Sequence, residues 1–71
     1  MGHETRLKIV DFLKENPGTN GGDIARAVGF SKGAEILGDI YYLRKYGVIR
    51  RDGNSVKARW FWIEEKPAPL P

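Results

Sequence analysis

Apolar side chains recur at helical spacing near the start of the chain: Ile9, Phe12 and Leu13 lie on one side of ETRLKIVDFLKEN, flanked by Leu7 and Val10. Positions three and four apart share a helix face, so this segment predicts an amphipathic helix packed on one side. Asn16-Pro17-Gly18 ends it, because helix is disfavoured before proline and glycine accepts the turn. In TNGGDIARAVGF, Asn20 followed three residues later by Asp23 predicts the cap of a second, short helix whose apolar side is Ile24, Ala27 and Val28. Gly29 is placed to close that helix in the left-handed conformation. A third helix is expected from a Ser31 cap through KGAEILGDIYYLRKY to Gly47, with Ile36, Ile40 and Leu43 as its buried stripe.

After Gly47 the pattern changes. VIRR reads as a short strand, Asp52-Gly53-Asn54-Ser55 as a turn and VKARWFWI as the returning strand, since Asp-Gly between β-prone runs is a strong hairpin signal. Alternation puts Trp60 and Trp62 on one face of that strand and Phe61 and Ile63 on the other. One pair completes the core. The other covers the lower edge of the sheet, contacts nucleic acid or forms a protein–protein patch. The tail EEKPAPLP has no apolar periodicity, so 3–63 are expected to fold as one domain and 64–71 to be a disordered, proline-rich extension. Helix, an optional short strand at Gly18-Thr19, helix, helix and hairpin make a small α+β plan, that of the winged helix-turn-helix. In that plan the third helix is the usual reader of the major groove and the hairpin is the wing.

Composition narrows the chemistry. A chain of 71 residues has one small core and no room for a buried active-site cavity. It has no cysteine, which excludes disulfides and thiolate metal sites, and its one histidine, His3, sits near the terminus. Ser31 and Ser55 lack a histidine partner, and TNGGD lacks the Gly-Lys-Ser/Thr of a phosphate loop. No catalytic residue, metal site or cofactor is therefore expected, nor is an enzyme. The N-terminus has no signal-peptide core, and the apolar runs are far shorter than the roughly 20 residues that span a bilayer. A cytoplasmic protein that leaves the membrane alone is expected.

Charge redirects the reading towards polyanions. From Arg44 to Arg59 six bases meet one acid, Asp52, a local charge of +5 in a chain whose total is +3. Neutralising phosphates supplies most non-specific nucleic-acid affinity, so such a segment suits double-stranded DNA. Opposite the buried stripe, helix three carries Ala34, Gly38, Tyr41, Tyr42 and Lys45. Gly38 costs up to about 1 kcal/mol relative to alanine inside a helix, so either a partner or another helix of the domain approaches closely there. The expected DNA-binding set is Lys32, Ala34, Gly38, Tyr41, Tyr42 and Lys45, with Arg50, Arg51, Lys57 and Arg59 clamping phosphates from the wing. The alternative is an interaction adaptor in which Trp60 and Trp62 hold a partner protein, helped by Glu35 and Asp39. One module buries only about 600–1,000 Å² on DNA, so a partner on the duplex or a weak homodimer is expected either way.

IVDFL, then DIARAVG, YLRKYGVIRR and ARWFWI resemble, in order and spacing, the PapI/FaeA family of small winged-helix regulators of bacterial fimbrial operons. The likeness covers roughly residues 6–63, and its most particular part is ARWFWI, similar to the family's Ala-x-aromatic-aromatic-aromatic strand after a basic wing. The resemblance implies a transcriptional co-regulator of a pilus or fimbria operon in the bacterial nucleoid. It also implies work beside a global regulator, the leucine-responsive regulatory protein, at methylation-sensitive sites. The chain departs from the family at the start of helix three, where Gly33, Glu35 and Asp39 stand at positions the family fills with polar and aromatic groups. EILGDIYYL is more distantly similar to the recognition helix of the Z-DNA-binding domains of RNA-editing deaminases, with Tyr41 at their reader tyrosine. Leu37 replaces the asparagine of those domains, and their proline pair is missing from the hairpin.

Overall fold

Local signals set the first two helices. A computed structural model describes residues 2–53 and 57–63; the Asn54-Ser55 part of the expected turn and the 64–71 tail lie outside the described residues. The first helix, α1, runs Gly2–Glu15 and buries Ile9 and Leu13 completely, with Val10 and Phe12 half-buried beside them. After the Pro17-Gly18 turn, strand β1 occupies Thr19–Asn20, one residue later than Gly18-Thr19. Helix α2, Gly21–Ala27, starts from the expected cap: the Asn20 side-chain oxygen accepts the Asp23 amide N–H at 2.8 Å. Its buried residues are Ile24 and Ala25. Ala27, expected on the apolar side, is exposed, in an open depression it lines with Lys8, Asp11 and Phe12 of α1.

Two helices end in the same way. Gly29 adopts φ +100° and lets the Phe30 amide reach the Ala25 carbonyl at 2.8 Å, and Gly47, at φ +75°, does the same for Val48 and Leu43 at 2.9 Å.

The third helix departs from expectation at its start. Residues Gly33–Ile36 form a 3₁₀ turn, and helix α3 proper runs Leu37–Lys45. Ser31 does not cap it. Instead the Glu35 carboxylate accepts the backbone N–H groups of Ser31 and Lys32 at 2.8 and 3.0 Å. The 3₁₀ turn rests directly on the start of α2: a Cβ on Gly33 would lie 3.2 Å from backbone atoms of both Gly21 and Gly22. A side chain there would force the turn off α2.

Strands β2, Ile49–Asp52, and β3, Arg59–Trp62, form the hairpin; β2 has the expected length but starts one residue later, and β3 is shorter than expected. The antiparallel sheet has the order β1-β3-β2, so β3 is central, with Trp60 opposite Thr19 on one side and Arg51 on the other. Trp60 is buried with Ile9, Leu13, Ile24, Ile36, Ile40, Leu43 and Ile49, and Trp62 packs against that cluster. The tryptophan pair therefore faces the helices. Three helices and a three-stranded antiparallel sheet give a small mixed α+β domain.

Candidate nucleic-acid interface

The outward side of α3 brings most of the expected residues together. Ala34, Gly38, Tyr41, Tyr42 and Lys45 are all exposed and lie on the side away from Ile36, Ile40 and Leu43. A Cβ on Gly38 would meet nothing within 4 Å. Packing against another helix of this domain therefore does not explain the glycine; the space in front of it is open.

The two acids of this segment are turned to other work. Glu35 is held by the Ser31 and Lys32 amides. Asp39 accepts a hydrogen bond from Arg6 Nε at 3.1 Å, an ion pair between α1 and α3. The Arg6 guanidinium also lies 3.6 Å from the centre of the Tyr42 ring, which in turn packs on Tyr46 at 4.7 Å between centroids. Arg6 was absent from the expected site. Its signal was the spacing Arg6–Ile9–Val10–Leu13, which puts a cation at the edge of the stripe that meets α3.

Tyr41 leans the other way, towards the hairpin. Its ring meets Trp60 edge to face at 6.5 Å, and with Ala34, Leu37 and Arg51 it lines a cleft of about 580 Å³ between α3, the start of α2 and the hairpin. Trp60 forms part of the wall and is only 4% exposed. Its expected role as a partner contact is thereby corrected: the register that places it opposite Thr19 and Arg51 turns its ring into the core. Trp62 remains half-buried, with the Lys14 ammonium 4.9 Å from its ring centre.

The hairpin cations, expected to clamp phosphates together, do not share one face. Alternation along β2 puts Arg51 on the helix side with Ile49, and Arg50 and Asp52 on the other. Arg50 stacks on Phe61 at 4.3 Å, and Arg59 donates to the Gly18 carbonyl at 2.9 Å, opposite Asp52 in register. Lys57 is exposed just before β3, and Lys32 is exposed before the 3₁₀ turn. Lys45 on α3 and Arg51, which lines the cleft beside Tyr41, are the cations at the outward side of α3, with Lys32 exposed just ahead of the 3₁₀ turn.

Among the described residues, no helix is long and apolar enough to cross a membrane, and no cluster of three or more His, Asp or Glu side chains could hold a metal ion. Set against family models, curated proteins and solved structures, the chain matches none of them.

Proposed function

We propose that the chain is a winged-helix DNA-binding transcriptional regulator that lays the outward side of α3 in the major groove and uses the hairpin as its wing. Its sequence resemblance points to a co-regulator of a fimbrial operon in the bacterial cytoplasm, acting beside a global regulator such as the leucine-responsive regulatory protein. The observation that carries the reading is the treatment of Glu35 and Asp39. Arg6 offsets the charge of Asp39, and one oxygen of Glu35 is drawn back onto the Ser31 and Lys32 amides, which lessens the repulsion these acids offer a phosphate backbone. The open space before Gly38 supports close approach of a duplex. The adaptor alternative loses ground with the burial of Trp60.

Lys32, Lys45, Arg51 and Lys57 take phosphates on either side of the groove, while Arg50 and Arg59 brace the back of the wing through Phe61 and Gly18. Four contacts release four counterions, so log affinity against log salt should fall with a slope of roughly −4. Fluorescence-anisotropy titration of a labelled duplex between low and moderate salt measures it. A slope near zero removes the DNA reading.

A further inference from the structure

We infer that α3 reads the C5-methyl group of thymine, through an apolar floor made by Ala34, Leu37 and Tyr41. This rests on the DNA reading above and specifies what that helix recognises.

The argument starts from the groups available to meet a base edge. In the major groove guanine is read by arginine or lysine, adenine by asparagine or glutamine, and cytosine by a carboxylate. The thymine methyl is read by apolar contact. From Gly33 to Lys45 there is no asparagine or glutamine. The carboxylates of Glu35 and Asp39 are engaged within the chain. Arg44 and Lys45 stand in the last turn of α3, where cations complement the helix dipole and reach phosphates. What remains at the front of the segment is Ala34, Leu37, Gly38 and Tyr41.

Three of these side chains converge. Ala34, Leu37 and Tyr41 line the cleft of about 580 Å³, with the half-buried Arg51 at its margin. Leu37 is 40% exposed and Tyr41 48% exposed. A single exposed leucine is ordinary. Here it stands beside an alanine and an aromatic ring that is itself held by Trp60, with Arg51 in the same cleft and Lys45 further along α3. A duplex satisfies both demands at once: phosphates for Lys32, Lys45, Arg51 and Lys57, and a methyl group for the apolar floor. Gly38, one residue beyond Leu37, lets the helix sit deep enough for that contact.

The experiment compares two duplexes that differ only in the methyl, alternating poly(dA-dT) and poly(dA-dU), by anisotropy competition at fixed salt. Each methyl taken out of water should favour the thymine duplex by about fourfold. Leu37→Ala replaces an exposed residue by a better helix former, so the variant folds, and its preference for thymine should collapse towards unity. Arg51→Ala should weaken both duplexes by the same factor. Equal affinity for the two duplexes, with the steep salt slope intact, overturns methyl reading and leaves the DNA proposal standing. A thymine preference that survives Leu37→Ala unchanged overturns the assignment to this floor. Binding to neither duplex overturns both readings.

Discussion

A Gly38→Leu variant is expected to be more stable than the parent and to bind duplex DNA at least tenfold more weakly. The two effects come from one observation. A Cβ at this position meets nothing, so within the free protein a side chain has room, and replacing a glycine in the first turn of α3 gains up to about 0.5–1 kcal/mol. On a duplex the same space is occupied by the groove wall. A branched side chain there holds the helix off by the width of a methyl group or more, and losing one or two contacts that total about 1.4 kcal/mol gives the tenfold change. Gly38→Ala should show the same signs with a smaller binding loss. Urea titration gives the first number and anisotropy the second. Unchanged affinity in Gly38→Leu means that this side of α3 is not where the duplex lies.

The largest loss of stability is expected at Trp60. The ring is central in three senses: β3 is the middle strand, Trp60 pairs with residues on both neighbours, and its side chain completes the cluster around Ile9, Ile24 and Ile40. Truncating a buried tryptophan to alanine costs about 3–5 kcal/mol through lost transfer energy and the cavity left behind. Small domains have a net stability of roughly 0.05–0.15 kcal/mol per residue, about 4–11 kcal/mol for a chain of this size, so the loss takes from a third to all of it. Trp60→Ala should therefore lose its cooperative urea transition by far-ultraviolet circular dichroism. Trp60→Phe, which keeps most of the volume, should retain one. A Trp60→Ala protein within about 1 kcal/mol of the parent contradicts the placement of this ring in the core.

What could be read from the chain, and what could not, divides by range. The Asn20–Asp23 cap and the closing glycines at 29 and 47 are decided within a few residues, and the pattern located them correctly. The alternation in ARWFWI also fixed which aromatics share a face. It could not choose between the pairs, because that choice depends on which side of β3 the helices lie. Register with β1 and β2 and the burial of Trp60 settle it. The same limit applies to the cations. Their clustering in sequence was plain, but a strand distributes consecutive residues to opposite faces, so Arg50 and Arg51 part company. The start of α3 was misplaced because Ser31 is a good local cap, whereas the segment is arranged by Glu35 reaching back and by Gly33 packing on Gly21 and Gly22. Arg6 and Asp39, 33 residues apart, carry no local signal of their pairing.

The claim beneath the whole account is that a duplex lies against the outward side of α3 and the edge of the hairpin marked by Arg51. Shift mapping of the isotope-labelled protein with a short generic duplex at low salt tests it most directly. Backbone amides from Gly33 to Lys45 and the Arg51 side-chain Nε–H should move, while the Arg50 Nε–H, stacked on Phe61, should stay in place. Shifts confined to Arg50, Phe61 and Arg59, or to the surroundings of Trp62, contradict it.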